Sequence, residues 1–408
     1  MRKYVPLVSL LSLVALGACT IVSTDNGDAG GGAGGGGGGG AGGGGGGSAD
    51  ASGDVTASKD GGSDGTTNDG APCVPDPGNF DIPGNGCDDD GDGIIDNTPT
   101  CDSTLMNNGG ASDFAKAMGL CQTATGASDP KWGVVSAQFT NGYQLLTLPN
   151  DLQHGILSKF GSVVVPREGA MLGILSSGCG QEFDNCNTGD NMEFKGSHTA
   201  MQPSQGGAVP AGFPKASGSC TVSSSVNDVI DLQLTIKVPK NAQGLSFDFN
   251  FWSGEWPNYV CSNYDDAFIA FLHSAAFNGG TADNFSFDMS GNDVSVNNGF
   301  FDRCTPGTTT GCAGGTNTGT SVCPSGTAEL AGTGFLDPQQ VYCGTTMSSS
   351  GGATGWLVSQ APVQPAEIIT VDFIIWDTGD AIYDSSVLVD HFQWLAMLTQ
   401  TGTGRPPP

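Results

Sequence analysis

The sequence predicts a mainly β protein: an antiparallel two-sheet sandwich, jelly-roll-like, with one short N-terminal helix and a disordered glycine-rich linker before it. Two observations support this fold class. Apolar and polar residues alternate with a period of two in several runs after residue 231, which is typical of strands with one buried face. Connections rich in glycine, asparagine and serine separate these runs, and no long amphipathic helices alternate with them. The pattern therefore favours paired antiparallel sheets over an α/β enzyme core.

The first element along the chain predicts export. Two basic residues precede an apolar run over residues 5–16, which is too short to span a bilayer and is typical of a signal peptide. The run ends in "LGAC", residues 16–19, which resembles the lipobox of bacterial lipoproteins. This resemblance implies a signal peptide over residues 1–19 and a lipid on Cys19 that anchors the mature chain to the membrane. The alternative is an ordinary cleaved signal whose small residues happen to precede a cysteine.

A spacer follows over residues 20–72. It contains no aromatic residue and includes the glycine runs 34–40 and 42–47, so it offers nothing from which to build a core. A phosphate-binding glycine loop would need a preceding strand, a following helix and usually a lysine. We therefore expect a disordered linker and no nucleotide site.

The stretch "CDDDGDGIIDN", residues 87–97, lies in a short acidic module predicted over residues 73–101. Its aspartates match alternate ligand positions of an EF-hand loop, and Gly93 falls where that loop turns sharply. The glutamate of the twelfth position is replaced by Pro99, so the loop is more similar to the short calcium repeats of thrombospondin type 3. The alternative is a plain acidic linker. The predicted Ca²⁺ ligands are Asp88, Asp90, Asp92, the carbonyl of Ile94, and Asp96.

The globular body is predicted over residues 112–398. A helix is expected at about 112–120, with Ser112 as its cap. Its buried face would carry Phe114, Ala117, Met118 and Cys121. Alternating apolar residues then predict strands at 231–238, 245–251, 367–376 and 387–394.

Two acidic loops in the body, residues 253–266 and 376–386, each follow a strand and are expected at the same end of the sandwich. Asp390 is predicted to share an apolar strand face with Leu388, Phe392 and Trp394, where a carboxylate needs a cation or strong donors. Backbone N–H groups or a tyrosine are the alternative to a metal. The possible second metal or ligand site comprises Glu255, Asp265, Asp266, Asp377, Asp380 and Asp390.

Aromatic residues near these loops have two interpretations. They could form a sugar-binding rim, but such residues are more often core and edge aromatics of a sandwich. The residues concerned are Trp252, Trp256, Tyr259 and Tyr264.

Charge and cysteine usage restrict the partners and the compartment. The formal net charge of −28 repels nucleic acid and anionic membrane surfaces and favours cations.

Thirteen cysteines less Cys19 leave twelve, an even number that predicts disulfides outside the cytosol. No C-x-x-C or H-x-x-x-H spacing supports a zinc site. One local pairing would join Cys179 to Cys186, and four further cysteines lie close together in sequence: Cys304, Cys312, Cys323 and Cys343.

The body also resembles a known family, the choice-of-anchor L family of bacterial surface proteins, over about residues 112–398. Members share this domain and differ in how they are attached to the envelope, and a lipobox would be one such attachment. The resemblance provides no catalytic residue. The motifs on which it rests are "KWGVVSAQFT", "HGILSKFG", "PREGAMLGILSSG", "FDFNFWSGEWPNYVCSNYDDAF" and "WDTGDAIYDSSVLVDHFQW".

Three classes of function follow from these observations. As a binding or adhesion module, the protein would hold a polysaccharide or another envelope protein; as a structural surface protein, it would need no ligand beyond Ca²⁺. As an enzyme it lacks the common hydrolase motifs, and only Glu255 with Asp266 offers a glycosidase-like pair. We expect a non-catalytic, calcium-binding lipoprotein of the bacterial envelope, at the outer membrane or cell surface.

Overall fold

The computed structural model describes most of the chain after the predicted spacer. Two antiparallel sheets packed as a sandwich, with one α-helix, confirm the predicted fold class. The predicted signal peptide, Cys19 and the glycine-rich spacer lie outside the described residues, as do Cys186 and Cys343. The described ranges are 73–180, 206–313, 318–336 and 351–406.

Helix α1 (Ala111–Ala117) comes before all the strands. Single turns of 3₁₀ helix occur at Asp151–Gln153, Asn278–Gly280 and Ala328–Leu330. The strands of the described ranges are β1 (Gly133–Thr140), β2 (His154–Leu157), β3 (Leu172–Ser176), β4 (Val226–Lys237), β5 (Gly244–Ser253), β6 (Ala267–His273), β7 (Asp283–Asn284), β8 (Val294–Ser295), β9 (Thr309–Thr310), β10 (Gly319–Thr320), β11 (Gly352–Ala353), β12 (Leu357–Pro362), β13 (Ile368–Thr378), β14 (Ser385–Leu395) and β15 (Gly402–Gly404).

The first sheet has the strand order β1-β4-β13-β6-β7, and β8 also pairs with β6. The second sheet has the order β15-β12-β5-β14-β3-β2, and β11 also pairs with β5. Strands β9 and β10 form a separate ribbon. Because β4, β6 and β13 lie in one sheet while β5, β12 and β14 lie in the other, the chain crosses repeatedly between the sheets.

The core lies between the two sheets, where the alternating pattern places it. The four strands predicted from alternation are β4, β5, β13 and β14, which are the long strands in the middle of the sheets. Phe247 of β5 and Phe373 of β13 are fully buried and meet across the core with ring centroids 5.0 Å apart. Each buried side chain of this size contributes about 1.5–3 kcal/mol, so this inter-sheet layer holds the sandwich together.

The outer face of the second sheet is buried as well. Strand β5 is buried along its whole length, including Asp248 and Asn250. Part of the cover is a second apolar cluster that contains Phe160, Trp252 and Phe335. Polar residues of this strand therefore face protein, where the alternating pattern alone would place them in solvent.

Helix α1 differs from its predicted form. It begins at Ala111, its N-cap is Gly110 without a side-chain hydrogen bond, and Ser112 is exposed, so the predicted Ser112 cap is wrong. The helix ends at Ala117 because the backbone of Gly119 adopts φ 93°, outside the helical region. Phe114 is buried, as the predicted apolar face requires.

Residues 73–101, called the Asp-rich segment below, pack on the sandwich. The Trp132 indole Nε1 donates a 2.6 Å hydrogen bond to the Asn79 carbonyl. The Phe80 N–H donates to Asn241 Oδ1 at 3.0 Å, and Asn241 Nδ2 donates back to the Phe80 carbonyl at 2.8 Å. These bonds satisfy backbone groups of the segment with partners from the body, so the segment has a defined position.

Disulfides connect the described cysteines, as their even number predicts. Cys179 and Cys312 are also disulfide-bonded, so every cysteine in the described part of the chain is oxidised. Both cysteines that bracket the acidic loop, Cys87 and Cys101, are tied to other parts of the fold. The pairs within the described ranges are Cys73–Cys87, Cys101–Cys121, Cys220–Cys261 and Cys304–Cys323.

Replacing Phe247 tests the inter-sheet core. We expect Phe247→Ala to lower the free energy of unfolding by about 3–5 kcal/mol, because the cavity adds to the lost burial. Leu148→Ala is the control, since Leu148 is 73% exposed and its truncation should change stability by less than about 0.5 kcal/mol. Urea denaturation of the oxidised protein measures both values. Equal losses in the two variants would contradict this assignment of the core.

Candidate functional site

The acidic loop of the Asp-rich segment wraps around the carboxylate of Asp88. Asp88 Oδ1 accepts N–H bonds from Gly91 and Asp92 at 2.8 and 3.1 Å, and Oδ2 accepts one from Gly93 at 3.0 Å. Gly91 and Gly93 have φ values of 76° and 95°, which glycine adopts without a Cβ penalty. The glycines thus allow consecutive N–H groups to turn inward toward one carboxylate.

Three carboxylates converge at this loop. One oxygen from each of Asp81, Asp88 and Asp90 lies within 4.8 Å of the other two, the one such group of three or more His, Cys, Asp or Glu residues in the described ranges. Asp81 is held in place because its Oδ1 accepts N–H bonds from Asp89 and Asp90 at 2.8 and 3.2 Å. Carboxylate oxygens at this spacing form a donor set that suits Ca²⁺.

The ligand spacing in the sequence includes Asp88 and Asp90 of the converging group but not Asp81. Asp81 lies seven residues before the first position of the EF-hand alignment, so no ligand spacing identifies it. The one signal in the sequence is that Asp81 falls between Cys73 and Cys87, whose disulfide folds that stretch back beside the loop.

The other predicted ligands lie close by but outside the converging group. Asp92 Oδ1 accepts the N–H of Ile94 at 2.8 Å. The Asp96 carboxylate accepts N–H bonds from Asn85 and Gly86 at 3.0 to 3.2 Å. The Asp92 carboxylate closes a local turn, whereas that of Asp96 joins two separate parts of the segment. The ligand roles of Asp92, Ile94 and Asp96 remain predictions.

Burial and mutual repulsion disfavour negative charge at two of the converging carboxylates. Burial raises the pKa of Asp81, and the neighbouring Asp88 raises it further, against the N–H bonds that lower it. Burial also raises the pKa of Asp90, with added repulsion from Asp81, Asp92 and Asp88. A divalent cation at this point would remove the repulsion.

A second acidic group, called the buried acidic cluster below, lies where several strands end. Antiparallel pairing brings the end of β5, the start of β6, the end of β13 and the start of β14 to the same end of the sandwich. Five of the six residues predicted for a second site lie there, and all but Asp380 are almost fully buried. They are Glu255, Asp265, Asp266, Asp377 and Asp380, and the structure adds Asp228 and Asp384.

Within the buried acidic cluster, both carboxylate oxygens of Asp266 accept hydrogen bonds. Its Oδ1 accepts the Thr378 N–H at 2.9 Å, and its Oδ2 accepts the Ser385 hydroxyl at 2.8 Å. Its own N–H donates to Glu255 Oε2 at 3.4 Å. Asp377 differs, because neither of its oxygens accepts a hydrogen bond of ordinary distance and angle from a described residue.

The pKa values of this cluster are raised mainly by burial. Burial raises the pKa of Asp266 to about 7 and that of Asp265 to about 6. For Glu255, burial and then repulsion from Asp266 raise the pKa well above its usual value. The pKa of Asp377 is raised well above its usual value by burial and by Asp266 and Asp384, and the nearby Ser177 hydroxyl offsets part of this rise.

The aromatic residues beside the cluster are mostly structural. Trp252 is fully buried in the second apolar cluster, and Trp256 is 9% exposed and stacks on Phe301 with ring centroids 4.4 Å apart. Tyr259 and Tyr264 meet edge to face, 5.5 Å apart. For the two tryptophans, the core interpretation is therefore confirmed over the sugar-binding rim.

Glu255 and Asp266 lack the exposure that a glycosidase pair needs. They are 2% and 1% exposed, and the Glu255 carboxylate accepts the N–H of Asp266. A glycosidase places its two carboxyl groups on either side of an open, substrate-filled groove.

Asp390 lies apart from the buried acidic cluster. The predicted face shared with Phe392 and Trp394 is wrong, because a bulge between Asp390 and Gln393 shifts the register of β14. His391 has φ 52° at this bulge, and the inter-sheet core contains Phe392 and Trp394 on the side opposite to Leu388.

Backbone N–H groups stabilise the Asp390 carboxylate. Such donors were one of the alternatives to a metal at this residue. Its Oδ2 accepts the N–H groups of Arg167 and Glu168 at 2.5 and 3.3 Å, and its Oδ1 accepts that of His391 at 2.6 Å. Burial nevertheless raises the pKa of Asp390 to about 7. The cross-strand neighbour Asp248 pairs with the Arg167 guanidinium at 2.8 Å.

Comparison with protein families gives one result. The family model described as choice-of-anchor L domain matches residues 186–392, just over half of the chain. The match begins after β3, runs through most of β14 and contains the buried acidic cluster, whereas the Asp-rich segment, α1 and β1 to β3 precede it. Comparison with curated proteins and with solved structures finds no match.

The raised pKa values predict how stability depends on pH. Without divalent cations, folded Asp266 keeps a proton up to about pH 7, whereas its unfolded form loses the proton near pH 3.9. The folded state therefore binds more protons across this window. We expect the free energy of unfolding to fall as pH rises from about 4 to about 8.

An isosteric variant isolates this effect. Asp266→Asn should weaken the pH dependence and be more stable than the unsubstituted protein at pH 8, while Asp151→Asn, at an exposed position, should not change the slope. Chemical denaturation at a series of pH values, in the presence of a chelator, measures the slopes. An unchanged slope in the Asp266 variant would show that this carboxyl does not control the dependence.

Proposed function

The chain belongs to the choice-of-anchor L domain family, and on that premise we propose that it is a non-catalytic, calcium-binding module anchored at the cell surface through a lipid on Cys19. Family membership indicates a cell-surface module. The observation that carries the calcium proposal is the convergence of Asp81, Asp88 and Asp90.

Charge and chemistry favour Ca²⁺ at this point. Three hard oxygen donors converge, and the glycine-rich turns of the loop leave space for water ligands. Magnesium requires a stricter octahedral geometry and sheds water reluctantly, so it competes poorly. Because Pro99 stands where an EF-hand has its bidentate glutamate, we expect a dissociation constant on the order of 10⁻⁴ M, as in extracellular modules.

Ca²⁺ would also fix the Asp-rich segment. Without a cation, burial raises the pKa of Asp81 and of Asp90, and repulsion among these carboxylates and Asp88 adds to the rise. Binding would remove this repulsion while the disulfides at Cys87 and Cys101 restrict the loop from both sides. The expected consequence is a rigid connection between the spacer and the sandwich wherever Ca²⁺ is plentiful.

The proposed partner is a polysaccharide or another envelope protein, and nucleic acid is disfavoured by the charge of −28. A purely structural surface role is the second candidate, and a continuous apolar core between the two sheets supports it. The burial of Glu255 and Asp266 does not support glycoside hydrolase activity.

Membrane attachment is proposed through the N-terminal lipid. No helix in the part of the chain that the structure describes is long and apolar enough to span a bilayer. The lipobox-like residues 16–19 support lipidation of Cys19, and several acyl chains on one residue anchor stably where one would not.

Titration with Ca²⁺ tests the proposed site. We expect saturable binding to the full-length protein by calorimetry, and a stabilisation of about 2.7 kcal/mol at a hundredfold excess over the dissociation constant. Asp81→Asn combined with Asp90→Asn should weaken binding at the loop by at least about tenfold, because two of three converging charges are lost. Asp113→Asn on α1 is the control and should bind as the unsubstituted protein does.

A single Asp92→Asn variant distinguishes the two ligand sets. If the converging group is the binding site, this variant should lose less affinity than Asp81→Asn. Melting temperatures in a chelator separate a folding defect from lost binding. Equal calcium heats in the double variant and the control would overturn the proposal and leave the loop an acidic linker.

Cys19→Ser tests the anchor. We expect the variant to leave the membrane fraction and to stay in the aqueous phase on detergent partitioning, because the acylated sulfur is gone. Ala18→Ser is a matched control that keeps the cysteine. Detergent partitioning of Cys19→Ser identical to that of the unsubstituted protein would rule out lipid on this residue.

A further inference from the structure

Several carboxylates of the buried acidic cluster lie close together away from water. Asp228, Asp266, Asp377 and Asp384 are each at most 2% exposed. Burial raises the pKa of Asp377 well above its usual value, and repulsion from the other three carboxylates adds to the rise. Carboxylates removed from water in this way need positive charge or protons beside them.

The basic side chains of the described ranges do not supply that positive charge to the centre of the cluster. Those that form ion pairs with carboxylates do so elsewhere: Lys116–Asp113, Lys240–Asp76, Arg167–Asp248, Arg303–Asp302, Arg303–Glu329 and Arg405–Asp302. The remaining described lysines are exposed or donate to backbone carbonyls: Lys131, Lys159, Lys215 and Lys237. None of these basic groups forms an ion pair with Asp266 or Asp377.

Asp377 offers two oxygens that no described donor uses. Both are buried, and neither accepts a hydrogen bond of ordinary distance and angle from a described residue. A buried carboxylate without such donors is strongly disfavoured unless a proton or a cation binds it. The side chain of Asp377 therefore indicates a ligand that accepts electron pairs.

Asp266 is fixed beside Asp377 by donors that leave lone pairs free. Its Oδ1 accepts the N–H of Thr378, the next residue after Asp377, and its Oδ2 accepts the Ser385 hydroxyl. Each carboxylate oxygen has two lone pairs, so both oxygens of Asp266 can still bind a cation. The Ser177 hydroxyl, close to Asp377, accepts the Ser385 N–H at 2.9 Å and likewise keeps a lone pair.

The spacing of the cluster suits an ion shared by two carboxylates. The Asp-rich segment has the one set of three carboxylates in the described ranges whose oxygens lie within 4.8 Å of one another, so no such set of three occurs in the cluster. Two carboxylates balance the charge of a divalent ion, and Ca²⁺ accepts hydroxyl and carbonyl oxygens for the rest of its shell. Magnesium fits less well, because it usually keeps several waters and this cluster is buried.

From these observations we infer that the buried acidic cluster holds a structural Ca²⁺ ion between Asp377 and Asp266. Both oxygens of Asp377 and one of Asp266 bind the ion, and the Ser177 hydroxyl is a neutral ligand. Asp266 and Asp377 lie at the ends of β6 and β13 in the first sheet, whereas Ser177 follows β3 in the second. The ion therefore joins the two sheets at one end of the sandwich. This site is separate from the proposed loop site and does not rest on it.

The calcium content that survives a chelator tests the inference. The full-length protein is prepared in calcium, passed quickly through gel filtration in a chelator, and analysed for metals by mass spectrometry. An ion at the exposed loop, with a dissociation constant on the order of 10⁻⁴ M, is lost in this step. A buried ion is retained, because its ligands open only by local unfolding. We expect about one Ca²⁺ per chain after the treatment.

Isosteric variants locate the retained ion. Asp377→Asn and Asp266→Asn each remove one negative ligand, so each should lower the retained calcium by at least about tenfold. The controls are Asp151→Asn, at an exposed position, and the double variant Asp81→Asn with Asp90→Asn; both should retain as much calcium as the unsubstituted protein. Near-ultraviolet circular dichroism shows whether each variant folds. If the two cluster variants do not fold, the calcium contents of the unsubstituted protein and of the controls decide the result.

The outcomes separate this inference from the proposed function. No retained calcium in the unsubstituted protein, or equal retained calcium in a folded Asp377→Asn variant, would overturn the inference in favour of a proton shared between carboxyl groups. Retained Mg²⁺ in place of Ca²⁺ would also overturn it. Calorimetric binding at the Asp-rich segment without retained calcium would leave the proposed function standing alone. Retained calcium together with no calorimetric binding at the loop would support the inference and overturn the proposed loop site.

Discussion

This structure depends on stabilising many buried carboxylates with few lysine or arginine partners. The chain has 41 acidic residues and only 13 Lys and Arg residues, and many aspartates are buried. A buried carboxylate needs N–H donors, a proton or a cation. Asp88 and Asp390 use backbone donors, and Asp248 uses one of the few arginines. Asp377 accepts no hydrogen bond of ordinary distance and angle from a described residue, and burial raises its pKa well above its usual value.

The need to satisfy carboxylates shapes the backbone of both the acidic loop and the sandwich. Backbone N–H groups turned toward Asp81 and Asp88 shape the Asp-rich segment, and the bulge of β14 turns N–H groups toward Asp390. That bulge also turns Phe392 and Trp394 into the inter-sheet core, on the side opposite to Leu388. The loop and the bulge thus both take their backbone shape around carboxylates that accept N–H bonds.

Strands with a periodic apolar pattern could be predicted from the sequence, whereas features that depend on a single residue could not. Alternation identified β4, β5, β13 and β14, because each has one face in the inter-sheet core. Strands such as β3 and β6 carry apolar or small residues on both faces and therefore show no alternation, and the two-residue strands are too short for any pattern. For the candidate site, ligand spacing found Asp88 and Asp90, while Asp81 enters through a separate turn. The face of Asp390 was mispredicted because the bulge at His391 has no signature in the sequence.

The disulfides determine how the protein transmits tension from its N-terminal side. Force arriving at Cys73 passes through the bond to Cys87, and residues 74–86 share it only through noncovalent contacts such as the hydrogen bonds of Asn79 and Phe80 with the body. The bond between Cys101 and Cys121 likewise bypasses α1. Between these two disulfides, residues 88–100 are bypassed by neither bond. Under the proposed calcium binding, a cation shared by Asp81 and Asp88 would crosslink this stretch to residues 74–86, so the extensibility of the segment would fall as the calcium concentration rises.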